Sequence, residues 1–392
     1  MTRSTIVAGS RAYTVNFDDP RRRGDLYQSI VMAQLVDELT GREVRGPVRV
    51  STDLRGGRTK TAGGGIGGVA GVPSRLFPDL DGQPYGLDLR FEAEGFLSAV
   101  LPDVPVPQQP SFPDGFADVD LGLVELRRPP VVIAVRTMQV DLLNRMVKLP
   151  FASVRVTGIW RRVKDLSGAA AAPDLVGLRP ALSARRPGPG TTLEPVAMPP
   201  IGGPDRRLLS AAEPGAGTLE VTRTGSPAAP DVVAIDPTDA DRVEYIQVAD
   251  VVGPSDPDSP ATVVLAFPVQ HRHREGVMVR EVTPTAVGPL TADLAAEGLP
   301  GDPTVFVTSA APFTAGQVVR ITGGPAPDEY AVPATYRVDT DKDGYGRLPP
   351  LTRVAAVEVE ASEPGPPPLA APPTRYTPNY GVVENPLFLV LE

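Results

Sequence analysis

The chain contains no cysteine, which excludes disulfide staples, thiol catalysis and thiolate-held metals. It has two histidines, His271 and His273. Any Ser-His-Asp relay would need one of them as its base, and no G-x-S-x-G elbow supplies a nucleophile. Aromatic residues make up 5% of the chain and Trp160 is the single tryptophan. That is poor material for a sugar-binding cleft, although the paired carboxylates of a glycoside hydrolase can lie far apart in sequence. Trp160 reads as a core or interface anchor, with a ligand platform as the other reading. No run of about 18 apolar residues is present to span a membrane, and residues 1–10 lack the roughly 7–15-residue apolar stretch of a secretory leader. Basic excess is missing as well: the net charge is −9 and the pI about 5.0, whereas displacing counterions from nucleic acid needs a basic face. These absences predict a non-enzymatic protein assembled in the cytoplasm, with no cofactor, no nucleic acid and no membrane insertion. Lysis would be its route of release.

What the chain has in abundance is punctuation: 47 prolines and 39 glycines among 392 residues. Proline removes a backbone donor and fixes φ, and both residues interrupt helices. The hydrophobic fraction is nevertheless 41%, too high for a disordered chain. Many short strands joined by turns satisfy both facts. The predicted fold class is all-β, with several small β-sandwich or β-barrel-like modules joined by Pro/Gly-rich linkers. Short basic clusters at Arg21–Arg23, Arg161–Lys164 and Arg185–Arg186 read as solvated edges or loops.

Three local patterns suggest chemistry, and each has a plainer reading. Gly63, Gly65 and Gly68 match G-x-G-x-x-G, but Val72-Pro-Ser follows where a dinucleotide site needs a helix N-terminus. A flexible loop is the better reading. Asp339, Asp341, Asp343 and Gly344 open like an EF-hand, yet the twelfth position, which should be a bidentate Glu, is Pro350. An Asp/Gly turn with carboxylates capping local amides explains the same residues. His271 and His273, alternating on a strand, would face one way and could share a metal. Arg272 and Arg274 beside them would repel it, so a surface loop or subunit contact is expected. No catalytic, cofactor-binding or metal-ligating residue is assigned.

An internal repeat is visible in the C-terminal half. Thr262–Pro268 with Glu275–Val282 resembles Thr304–Ala310 with Ala315–Thr322, placing Gly276 and Gly316 40 positions apart. Glu244-Tyr245 and Glu329-Tyr330 add a shared element in a different order. Small duplicated β units suit a modular scaffold.

The stretch Ala33-Gln-Leu-Val-Asp-Glu-Leu-Thr-Gly-Arg-Glu-Val-Arg-Gly-Pro-Val-Arg-Val resembles the opening strands of a carboxypeptidase regulatory-like (transthyretin-like) β-sandwich. Tyr85–Phe96 resembles its end, with Leu87, Leu89 and Phe91 inward and a corner at Gly95-Phe96. The resemblance covers about residues 28–102 and departs at Gly63–Gly68, where the family has an Asp-x-x-Gly turn. It implies a non-catalytic accessory module. The segments Glu244–Val248, Leu265–Val269 and His271–Val277, with Asp343–Leu351, are similar to β modules of bacterial phage tail-like contractile injection particles. That resemblance implies a baseplate or fibre component whose partners are other subunits of a large assembly. The alternatives are a stand-alone adhesion or carbohydrate/protein-binding module and, third, a carboxylate-dependent hydrolase. The predicted organisation is an extended arm over 1–25, a regulatory-like sandwich with a Pro-rich insertion over 26–166, and a linker over 167–210. Two β modules follow, over 211–298 and 299–392, the second ending in a strand (Pro386–Glu392) that either joins a neighbour or closes its own domain.

Overall fold

The computed structural model describes residues 3–8, 11–16, 28–53, 57–71, 85–106, 119–170, 174–201, 206–222, 231–253, 259–314, 316–363, 365 and 368–392. Among them the chain is all-β, and the one helical element is a 3-10 turn at Val163–Ser167. No helix of the described residues is long and apolar enough to cross a membrane. The basic cluster Arg21–Arg23 and the prolines Pro107, Pro110 and Pro113 lie outside the described residues.

Strands β1 (Arg3–Ala8) and β2 (Arg11–Asn16) pair as an antiparallel hairpin, where the sequence predicts an extended arm. A first sandwich follows, built from β3 (Gln28–Asp37), β4 (Val48–Thr52), β5 (Arg58–Ala62), β6 (Ile66–Gly71), β7 (Tyr85–Ala93), β8 (Ala99–Val106) and β9 (Val119–Leu126). One sheet runs β5-β6-β3-β9 and the other β4-β7-β8. They close on Ile30, Leu35, Val50, Val69 and Leu126 together with Leu87, Leu89 and Phe91, the inward set that β7's alternation predicts. The glycine run is not a flexible loop. Gly64 and Gly65 turn at positive φ between β5 and β6, and Gly68 lies so close to β3 that a Cβ there would meet the Val31 carbonyl oxygen at 2.4 Å. Only a residue without a side chain at this position lets β6 approach β3 so closely.

The chain then lays down β10 (Val132–Val140), β11 (Met146–Lys148) and β12 (Ser153–Trp160), and enters the stretch 167–210 where a linker is expected. That expectation is overturned: β13 (Asp174–Arg179) and β14 (Thr192–Ala197) are interior strands of a sheet. Leu175, Val176, Leu178, Leu182, Leu193 and Val196 are buried. In β13 four consecutive residues are buried, so it carries no period to read. Next come β15 (Arg206–Arg207), β16 (Thr218–Val221), β17 (Val232–Ile235), β18 (Glu244–Val252), β19 (Ala261–Leu265) and β20 (Met278–Val282). After them come β21 (Thr285–Ala286), β22 (Ala292–Asp293), β23 (Thr304–Val307), β24 (Val318–Thr322) and β25 (Glu329–Thr335). The last strands are β26 (Arg337–Asp339), β27 (Tyr345–Arg347), β28 (Ala356–Glu363), β29 (Leu369–Tyr376) and β30 (Glu384–Leu391).

These strands are nested, so the boundaries expected at 166, 211 and 299 do not mark separate cores. Strand β30 lies parallel to β10, in a sheet with β11 and β27, and β12 lies between β26 and β28. The two sheets form a second sandwich around Ile133, Val154, Val357, Val359 and Leu389. The C-terminal strand therefore closes a domain opened some 250 positions earlier. Inside this sandwich's sequence sits a sheet ordered β21-β14-β24-β25-β13-β23, with β22 also on β14. Inside that one sits a sheet ordered β15-β20-β17-β18-β19-β16. Single bridges, Leu294↔Val307 and Leu208↔Val221, join the ends of the two sheets. Each thus closes into a small barrel with its own apolar filling.

The two barrels are copies. Their strand orders superimpose with β13, β14, β22, β23, β24 and β25 answering to β19, β20, β15, β16, β17 and β18. Individual bonds repeat too. The amide of Gly301 donates to Leu182 O at 2.7 Å, as Gly215 does to Val269 O at 2.7 Å, and Asp293 N donates to Thr308 Oγ1 at 3.2 Å, as Arg207 N does to Thr222 Oγ1 at 3.2 Å. Leu208, Gly215, Thr218 and Val232 match Leu294, Gly301, Thr304 and Val318, each 86 positions on. The register with Gly276 opposite Gly316 is therefore wrong, because β20 and β24 occupy different places in their barrels. The Glu-Tyr pairs do correspond. Counted along the chain, each repeat runs from a β13- or β19-type strand to a β25- or β18-type strand, and each barrel takes strands from both. The repeats are interleaved, as in a domain-swapped dimer written into one chain.

Candidate functional site

The barrels meet on a shared cluster of Val196, Val232, Ala234, Val282, Val318 and Tyr330, which contains the corresponding pairs Val196/Val282 and Val232/Val318. At its edge Glu244 and Glu329 line a cavity of about 20 Å³ with Tyr245 and Tyr330. Both carboxylates are committed. Glu329 accepts from Ser183 N (2.5 Å), Ala184 N (3.1 Å) and Arg186 Nε (3.1 Å). Glu244 accepts from Gln270 N (2.9 Å) and His271 N (2.7 Å), with His273 Nε2 at 3.0 Å. A cavity of that volume holds about one water. Each Glu pins the loop following its barrel's β13- or β19-type strand, and Gln270 bridges the two loops through Ala181 N, Ala181 O and Ser183 Oγ.

Residues singled out in the sequence fall into place around this frame. Arg186 is fully buried, where a solvated edge is expected. Besides Glu329, its guanidinium donates to the carbonyls of Gly323 (3.1 Å), Ala326 and Pro327. His271 and His273 sit on a loop and not a strand, and they part company: His273 is buried against Glu244, while His271 lines a surface cleft. Among the described residues no group of three or more His, Asp or Glu is placed to hold a metal. In the Asp-rich segment, Asp341 Oδ1 accepts from Asp343 N (2.8 Å) and Tyr345 N (3.0 Å). These amide bonds, Tyr345 first, hold the Asp341 carboxyl below its ordinary pKa. Asp343 pairs with Lys148 at 3.1 Å, and Asp339 lies in β26 opposite Ser153. The residues form a capped turn. Trp160 is buried, donating to Gly168 O at 3.1 Å under the Arg375 guanidinium.

The feature that sequence reading missed is the β10–β11 hairpin. Its tip presents Leu142, 105% exposed, and Leu143, 71% exposed, flanked by the exposed Val140 and Met146; Phe151, 67% exposed, follows β11. The tip is rigid. Asp141 Oδ1 accepts from Leu143 N (2.9 Å) and Arg145 N (2.8 Å), its Oδ2 takes Arg145 Nε (2.9 Å), and Asn144 adopts φ +58°. The Arg145 amide, then its side chain, lowers the Asp141 pKa. Two adjacent leucines held outward by an Asx turn do not bury themselves in this chain. The signal was present as Asp141-Leu-Leu-Asn-Arg, an apolar pair inside a turn signature.

No family model and no curated protein matches the chain. Among solved structures, the major pilin subunit of Bacillus cereus aligns over 93% of this chain and 99% of its own, at 8% identity and a TM-score of 0.19. A likeness of that size carries no argument.

Proposed function

We propose that the chain is a non-enzymatic structural and assembly protein of a phage tail-like contractile injection particle, acting through protein–protein contacts. The observation that carries the assembly role is the pre-ordered apolar tip of the β10–β11 hairpin. Burying Leu142 and Leu143 in a partner would contribute about 1.5–3 kcal/mol each. The turn is already formed, so little conformational entropy opposes docking. Glu244 and Glu329, bound to backbone amides, are used up in holding loops, which fits a scaffold better than a hydrolase. The kind of particle rests on the resemblance of the Glu244–Val277 and Asp343–Leu351 segments to modules of such particles.

The test is sedimentation of native lysate, with negative-stain imaging of the pellet. Wild-type protein is expected with sheathed, tubular particles. A variant carrying Leu142→Asp and Leu143→Asp should keep its unfolding midpoint and appear in the soluble fraction. Wild-type protein found only as a free 41.3 kDa species would remove the assembly reading and favour a stand-alone adhesion module.

A further inference from the structure

The inner barrel carries a surface cleft of about 230 Å³ lined by Arg242, His271, Arg272 and Arg274. Such a concentration of cationic side chains is unusual on a chain of net charge −9. Two of the three arginines have carboxylate neighbours: Arg272 Nε lies 2.9 Å from Glu213 and Arg242 Nε 3.8 Å from Asp239. Arg274 has no ion-pair partner among the described residues. The Nε2 atom of His271 is buried and has no hydrogen-bond partner. His273 Nδ1 is unmatched as well, but only His271 lines the same cleft as the unpaired Arg274 guanidinium, and an acceptor-rich anion there would complete the cationic set.

The duplicated barrel serves as an internal control. The loop Leu182–Arg186 answers to Val269–His273, so Arg272 matches Arg185, His271 matches Ala184, and Arg274 falls against Pro187. Arg242, two residues before Glu244, answers to Pro327, two before Glu329. The outer barrel keeps the buried Glu329–Arg186 pair that pins its loop, but it lacks three of the four cleft residues. Its one retained arginine, Arg185, pairs with Glu297. The fold therefore forms without the cationic set, which is not a requirement of the loop's geometry.

We propose that this cleft is a binding site for a small, multiply charged oxyanion, a phosphate or a group of carboxylates. The Arg274 guanidinium would supply paired donors, with the His271 ring lining the same cleft. The proposal is independent of the assembly role, because an oxyanion site serves equally a free ligand or a carboxylate presented by a neighbouring subunit.

The chain's own scarcity of histidine makes the test clean, since ¹⁵N-labelled full-length protein yields two imidazole spin systems. One is His271, and the other, His273, is a built-in control buried against Glu244. Inorganic phosphate and citrate are titrated separately at constant ionic strength. The expected result is a saturable shift of His271 with His273 unmoved, weakened about tenfold or more in Arg274→Gln. That variant changes an exposed residue and should leave the unfolding midpoint unchanged. Saturation by citrate alone assigns the site to carboxylates, and saturation by phosphate alone assigns it to phosphate. No saturable His271 shift with either anion, or equal shifts in the Arg274→Gln protein, overturns the proposal.

Discussion

At the scale of single residues, Arg186 shows how the barrels spend their charges. Its guanidinium is sealed from solvent between Glu329 and three carbonyls. Truncation to Ala leaves a buried carboxylate and unmatched acceptors, so Arg186→Ala should cost about 3–5 kcal/mol, read as a fall in the urea midpoint. An unchanged midpoint would mean that the loop is held by other contacts. Tyr330 makes a second residue-level case. Burial, reinforced by the nearby Asp328, pushes its phenol up to about 12 from the ordinary 10. The folded protein thus holds this proton more tightly than the unfolded chain. The associated stability is present below about pH 10 and is lost as pH rises towards 12. Stability measured against pH should decline over that interval in the wild type and decline less in Tyr330→Phe. At this scale the sequence is uneven evidence. Glu244-Tyr245 and Glu329-Tyr330 are recognisable as partners from identity alone. Arg186 is not, because a basic pair in a Pro/Gly-rich stretch has the same composition whether it faces water or a carboxylate.

At the scale of elements, strands with one buried face are legible and strands with two are not. In β7 the order Leu87-Asp-Leu-Arg-Phe91 writes its orientation into the sequence, and the three apolar residues are buried. In β13 four consecutive buried residues erase the alternation, and neighbouring prolines and alanines make it look like a linker. Turns behave similarly: the Asp339–Gly344 turn is legible because its carboxylates have amides of their own to cap. The Gly63–Gly68 segment misleads because Gly65 and Gly68 are needed for close approach to β3, distant in sequence. Gly68→Val should therefore destabilise the first sandwich, since any side chain must displace the Val31 carbonyl. The expected signature is a loss of about 1–3 kcal/mol or more in denaturant unfolding. At the β10–β11 tip the effect of a substitution should be local. Asp141→Ala removes the acceptor for Leu143 N and Arg145 N, so tip amides should exchange faster with hydrogen while the global midpoint stays put. If those amides keep their protection, the tip owes its order to something other than the Asx turn.

At the scale of the molecule, the chain's path was the least legible feature. Reading modules as contiguous blocks fails when one unit is inserted in another, because nothing local to β12 or β26 says that they will be neighbours. Interleaving compounds this, since each repeat's sequence is intact while its strands serve two barrels. Such a molecule needs a device that makes its parts act together, and Arg353 is placed to be one. Its Nε donates to Glu38 Oε1 of the first sandwich at 2.7 Å, while Nη1 reaches Asp302 Oδ2 of the outer barrel at 3.1 Å and Glu297 O at 2.7 Å. Asp302 in turn takes Arg127 Nη1 at 2.7 Å. Burial alone would lower the pKa of this guanidinium, but Glu38 and Asp302 more than offset it, so the charge is held firmly in place. Three units thus share one nearly water-free ionic node, in which Glu38 depends on Arg353 while Asp302 also holds Arg127. Arg353→Met keeps the volume and removes the charge, leaving Glu38 without its ion-pair partner and Asp302 with Arg127 alone. Scanning calorimetry should then resolve more than one transition where the wild type is expected to give a coupled one, with the first sandwich melting earliest because Glu38, at the end of β3, loses its partner. A single transition at an unchanged temperature would show that apolar contacts such as that of Leu39 with the second sandwich's core suffice to couple the units. The ionic node would then set only their orientation.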